Sequence, residues 1–90
     1  MKILAVCGVG MGSSLILRMN IEAVLRENGV DASVEHSDVT GAKGADVDYI
    51  ATSKDLADTF DGDDERIIVI NNFIDKNEIK EVLVQAGIIK

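Results

Sequence analysis

Apolar residues in this 90-residue sequence recur with two different periods, and the points where the period changes mark out the elements. Lys2 is followed by the unbroken aliphatic run Ile3-Leu4-Ala5-Val6, which stops at glycines. A short run that is apolar at every position fits a strand buried on both faces. From Leu15 to Asn28 the spacing turns helical, with Leu17, Ile21, Val24 and Leu25 on one face, and Ser13 is the predicted N-cap. Arg18, Glu22 and Arg26 sit four apart on the other side, and Glu22 before Arg26 is the better order for a helical ion pair. Asn28-Gly29 supplies the stop, since Gly29 is free to adopt a left-handed conformation.

A second strand is predicted over Ala32 to His36, where Ala32, Val34 and His36 alternate with Ser33 and Glu35. A polar loop through Gly41 and Gly44 leads to a third strand, Val47-Asp48-Tyr49-Ile50-Ala51. Ser53 then caps a short helix in which Leu56, Ala57 and Phe60 share a face. After the acidic turn Asp61-Gly62-Asp63-Asp64-Glu65 comes a fourth, buried strand, Arg66-Ile67-Ile68-Val69-Ile70. Asp75 and Glu78 have capping-box spacing, and Ile79, Val82, Leu83 and Ala86 line one face of a last helix that Gly87 ends. This alternation of apolar strands and helices predicts an α/β fold: a four-stranded parallel sheet flanked by helices on both faces. Right-handed crossovers and short connections favour a doubly wound, flavodoxin- or Rossmann-like arrangement with strand order 2-1-3-4. With no internal repeat and no linker, residues 1–90 are expected to form one domain.

Composition changes this picture in two ways. With two Phe, one Tyr and no Trp, the core has to be aliphatic. The formal net charge of -7 argues against a nucleic-acid partner, whose phosphates demand clustered Lys and Arg. No apolar run approaches the roughly 20 residues that span a bilayer, and the amino-terminal run is too short for a signal peptide. The expectation is a soluble, cytoplasmic chain. Its single Cys leaves no internal disulfide and no Cys-rich zinc site.

That cysteine stands where chemistry is expected. Ligands of open α/β sheets bind at the carboxyl ends of the strands, where the winding direction switches. The first strand borders that switch and runs into Cys7-Gly8-Val9-Gly10-Met11-Gly12-Ser13-Ser14. Glycines allow a tight turn and close approach to a ligand. The free N–H groups and dipole of the following helix attract an anion, and Ser13 and Ser14 add hydroxyl donors. A free thiol has a pKa near ~8.5, and helix N-termini lower such values into the range of roughly 3.5 to 7.5. A phosphate cradle around an activated thiolate points to a phosphocysteine intermediate. As a plain packing residue, by contrast, Cys7 would be a small hydrophobe with no need of an anion cradle.

Other phosphate motifs fit less well. A Walker A loop needs Lys between its last Gly and the Ser, but Ser13 follows Gly12 directly. The dinucleotide fingerprint fails at its second glycine spacing, which disfavours a nucleotide-binding or regulatory module. A low-molecular-weight cysteine phosphatase is the nearest alternative. Its signature places Arg six positions after the Cys, where this chain has Ser13, so bidentate binding of the phosphoryl group is lost.

The opening residues from Ile3 to Leu25, with their Cys-Gly-x-Gly-x-Gly-Ser-Ser loop, resemble the IIB components of the bacterial phosphoenolpyruvate-dependent sugar phosphotransferase system (PTS). The likeness is to the lactose/galactitol/ascorbate-like groups. It extends more loosely to the strand ending Val69-Ile70-Asn71-Asn72-Phe73. The resemblance implies that a phosphohistidine of a IIA protein donates to Cys7, which passes the group to a sugar bound in the membrane component IIC. Cys7 is then the nucleophile, and Gly8, Val9, Gly10, Met11, Gly12, Ser13 and Ser14 form the phosphate loop. No metal or organic cofactor is implied. IIA and IIC are expected on separate polypeptides, and the chain is expected to be a monomer.

Other residues carry weaker claims. His36, at the end of the second strand, lies toward the same sheet edge, although in the family the relay histidine belongs to IIA. Thr52-Ser53-Lys54 and Asn71-Asn72 follow the third and fourth strands, where turn chemistry and capping compete with contact to phosphate or a partner. Arg18 could contact an acidic partner or assist phosphate, with pairing to Glu22 an equally good account. Val9 and Met11, if exposed at the loop tip, would form an apolar patch for docking IIA and IIC in turn.

Overall fold

The computed structural model describes residues 1–6, 10–60 and 65–89, and of residues 10–14 the backbone only. Eight elements follow one another: β1 (Lys2–Val6), α1 (Gly10–Glu27), β2 (Ser33–Ser37), α2 (Val39–Lys43), β3 (Tyr49–Thr52), α3 (Lys54–Ala57), β4 (Ile67–Val69) and α4 (Lys76–Gln85). The four strands form one parallel sheet in the order β2-β1-β3-β4, as the alternation of elements predicts. β1 is central. Val6 stands level with Ser37 of β2 on one side and Thr52 of β3 on the other, and Thr52 is in turn level with Val69 of β4.

Alternate residues of β1 face two separate cores, which is why its run is apolar at every position. Ile3 and Ala5 pack under α1 and α4 with Leu17, Ile21, Val24, Leu25, Ile79 and Leu83. Leu4 and Val6 face the other side, against Ile50, Ala42 of α2 and Phe60 beyond α3. Among the described residues the buried hydrophobic side chains are aliphatic apart from Phe60. At its far end Tyr49 donates to the Ala86 carbonyl across 3.3 Å and ties β3 to the end of α4.

Two readings of the sequence need correction. The stretch expected to be a polar loop holds the one-turn helix α2. Asp38 caps it by accepting from Gly41 N–H at 2.7 Å, and Ala42 is fully buried. Gly41 permits close approach, since a Cβ there would collide with Ser37 Oγ. The first helix opens at Gly10 rather than after Ser13, so Ser13 is an interior helical residue and not its N-cap. Glycines 10 and 12 are weak helix formers. They are carried in the helix because Leu17, Ile21 and Leu25 anchor it to the sheet, and packing outweighs propensity. The strands shift by one or two residues at their ends, as β4 does in shortening to Ile67–Val69.

The expected stops are in place. Gly29 and Gly87 have φ of 70° and 84°, the left-handed values that end a helix. Ser53 Oγ accepts from Leu56 N–H and caps α3. The acidic residues Asp61 to Asp64 lie outside the described residues. No helix of the described residues is long and apolar enough to cross a membrane.

Candidate functional site

The carboxyl ends of the strands form a row, Ser37, Val6, Thr52 and Val69. β2 lies to one side of β1 and β3 to the other, so the winding switches direction beside β1. Cys7 follows Val6 directly in the chain. Cys7, Gly8 and Val9 themselves lie outside the described residues. The backbone resumes as α1 at Gly10, so Gly10, Met11, Gly12, Ser13 and Ser14 are the opening turns of a helix. The first N–H groups of an α-helix have no carbonyl partner within it. The first turn of α1 also has no acidic side chain, so nothing within that turn counters the positive end of the helix.

Two turns into α1, Arg18 forms a bridge. Its Nε donates to Glu22 Oε1 at 2.8 Å, and its Nη1 lies 3.0 Å from His36 Nδ1 on β2. A guanidinium only donates, so Nδ1 accepts and the ring carries its proton on Nε2. Glu22 is therefore given to Arg18, not to Arg26 as helical order alone suggested. His36 sits level with Ala5, one step short of the sheet edge, and is engaged by Arg18.

The segment after β4 is held by turn chemistry. Glu78 Oε2 accepts from the N–H groups of Asn71 at 2.6 Å and Asn72 at 3.3 Å. Asn72 Oδ1 accepts from Ile74 N–H, and Asn20 of α1 donates to the Phe73 carbonyl at 2.6 Å. Asp75 caps α4 as its spacing predicts, accepting from Asn77 and Glu78 N–H. The returning arm of the capping box is different, because the Glu78 carboxylate reaches past Asp75 to the asparagines.

Beside Val6, Thr52 is fully buried, and its hydroxyl has no hydrogen-bond partner among the described residues. On the same side of the sheet as Arg18, Leu15, Ile16 and Met19 are exposed along the amino-terminal half of α1. No three His, Cys, Asp or Glu side chains among the described residues converge to hold a metal ion. A groove of about 510 Å³ opens along β4 and α4, and of the row of strand ends it is lined by Val69 alone.

Residues 2–85 match the family model described as "PTS system, Lactose/Cellobiose specific IIB subunit". The chain belongs to the PTS IIB family. Over 86 residues it is 34% identical to the ascorbate-specific PTS system EIIB component of Mycoplasma pneumoniae (strain ATCC 29342 / M129 / Subtype 1), covering 92% of this chain and 90% of that one. It is 40% identical over 55 residues to the ascorbate-specific EIIB component of Shigella sonnei (strain Ss046), covering 57% of this chain and 54% of that one. The solved lactose-specific IIB domain from Streptococcus pneumoniae superposes with a TM-score of 0.63, covering 97% of this chain and 94% of that one. Its 17% identity makes that a likeness of fold. As a IIB family member the chain has a general role in phosphotransfer, and the ascorbate- and lactose-type relationships agree with the resemblance of its opening residues.

Proposed function

We propose that this IIB chain carries the phosphoryl group on Cys7. The Cys7 thiolate attacks the phosphorus of a phosphohistidine on a IIA protein. The N–P bond breaks, its electron pair returns to the imidazole, and an S–P bond forms. In the second step a hydroxyl of a sugar bound in IIC attacks the same phosphorus. The S–P bond breaks, the thiolate is regenerated, and the hydroxyl proton is released. Gly8, Val9, Gly10, Met11, Gly12, Ser13 and Ser14 hold the transferring oxygens, through backbone N–H groups and the serine hydroxyls. The chain works as a monomer in the cytoplasm, with small, short-lived interfaces, since one edge serves two partners in turn.

What supports this reading is the position of Cys7 in the sequence relative to the described elements. Cys7 directly follows a strand paired on both sides at the switch point, and three residues later begins a helix whose first turn has no acidic side chain. Family membership supports it independently. Both curated relatives above are named ascorbate-specific, so an ascorbate-type system is the first to assay. The test is reconstitution with phosphoenolpyruvate, the general phosphotransferase proteins, IIA, and IIC in vesicles. Wild type is expected to support sugar phosphorylation and Cys7→Ala to abolish it. Full activity of Cys7→Ala would overturn the proposal.

A further inference from the structure

Strand β4 forms one edge of the sheet, and its main chain shows what that edge can bind. Ile50 N–H donates to the Arg66 carbonyl at 2.8 Å, and Ile70 N–H donates to the Thr52 carbonyl at 2.9 Å. In a parallel ladder the residues that bond to one neighbour alternate along the strand, so Arg66, Ile68 and Ile70 face β3. Ile67 and Val69 therefore turn both their N–H and their C=O groups outward, and no described residue bonds to them. Edge strands are commonly guarded by charges or proline. β2, at the opposite edge, carries Glu35 and His36, whereas Ile67-Ile68-Val69-Ile70 has neither charge nor proline. Alongside β4 runs the groove toward α4, lined by Ile68, Val82 and Ala86. Among the described residues its one charged lining side chain is the exposed Glu65. The adjacent Arg66 is committed elsewhere, donating to the Ala45 carbonyl at 2.9 Å.

We propose that the β4 edge takes up an extended segment of a partner polypeptide as a fifth strand, apolar at alternate positions and carrying Lys or Arg beside Glu65. The outward groups of Ile67 and Val69 are matched by an extended backbone, whereas a helix has already paired its own. Side chains on one face of the added strand would fill the apolar groove, since alternate residues of a strand share a face. Charge selects a basic segment over a second copy of this chain, because two chains of net charge -7 repel. This surface is independent of the chemistry assigned to Cys7.

The test follows amide exchange by nuclear magnetic resonance, with the blocked peptide Lys-Val-Thr-Val-Thr-Val-Lys as ligand. Its two lysines place a cation beside Glu65 in either strand direction. In the free chain the amides of Ile67 and Val69 are expected to exchange faster than those of Ile68 and Ile70. Peptide in the millimolar range should slow Ile67 and Val69 and leave β2 unchanged, and the fully N-methylated peptide should do neither. Val69→Pro removes an outward donor and no bond to β3, so it should melt close to wild type. It should bind the peptide about five-fold more weakly, the worth of one net hydrogen bond. Glu65→Gln should weaken binding about two-fold at low salt. No slowing at Ile67 and Val69, or equal slowing by the N-methylated peptide, would overturn the inference on the unaltered chain, whatever the fate of the variants. Equal binding of a peptide with Glu in place of both lysines would overturn the basic preference. Protection of Ile67 and Val69 that grows with the concentration of the chain alone would make a second copy the occupant and overturn the proposal.

Discussion

Replacing Asp75 with Ala probes the junction that holds the 71–75 segment at the sheet edge. Asp75 Oδ1 accepts from Asn77 N–H at 3.0 Å and Glu78 N–H at 3.3 Å, satisfying two of the donors that open α4. Loss of such a cap costs about 1 kcal/mol, within a range of roughly 0.5 to 2. The carboxylate also faces the positive end of the helix, a term of about 0.3 kcal/mol at an exposed, screened position. Together these give about 1.3 kcal/mol. For a domain of this size each kcal/mol lowers Tm by roughly 4 to 8 °C, so Asp75→Ala should melt about 5 to 10 °C below wild type. Asp75→Asn keeps the accepting oxygen and loses only the charge, so it should fall by no more than about 3 °C. Thermal unfolding followed by far-ultraviolet circular dichroism checks both. A loss in Asp75→Asn equal to that in Asp75→Ala would refute the hydrogen-bond reasoning and make the charge responsible. No loss in either would mean that Glu78 and Asn72 hold the turn without the cap.

Gly29 has φ of 70° with open space around its missing Cβ, so Gly29→Ala should cost about 1 to 2 kcal/mol through the backbone alone, read by urea unfolding. A cost below about 0.3 kcal/mol would show that the left-handed turn is dispensable. The Arg18 bridge is only partly buried, so Arg18→Ala should destabilise by no more than about 1 kcal/mol. Nitrogen chemical shifts should place the proton of the neutral His36 ring on Nε2, and a ring protonated on Nδ1 instead would contradict the Arg18 hydrogen bond.

Most of the architecture was legible because single residues carried strong local signals. β1 is apolar at every position because two cores claim alternate side chains, and a short unbroken run of that kind has few other uses. The glycines after α1 and α4 and the caps at Ser53 and Asp75 follow from backbone chemistry over two or three residues. The features that escaped depend on contacts distant in the chain. Val39-Thr40-Gly41-Ala42-Lys43 has β-branched and glycine residues and only one helical turn, so propensity gives no hint of α2. What makes it a helix is the Asp38 cap and the burial of Ala42 against β1 and β3. Glu22 had an arginine four positions away on either side, with helical order favouring Arg26, and the choice of Arg18 shows only once β2 brings His36 beside it. Cys7 could be singled out from the turn it begins. The burial of the Thr52 hydroxyl, with no partner among the described residues, becomes visible only when the strand register places it beside Val6.

Intact-mass analysis is the most direct test of the central claim, run after incubation with phosphoenolpyruvate, the general phosphotransferase proteins and IIA, with peptide mapping of any adduct. Wild type should gain a single phosphoryl group on the peptide containing Cys7, labile under conditions that cleave a thiophosphate, and Cys7→Ala should gain none. An adduct that persists in Cys7→Ala, or that maps to His36, would contradict the assignment of Cys7 as the carrier.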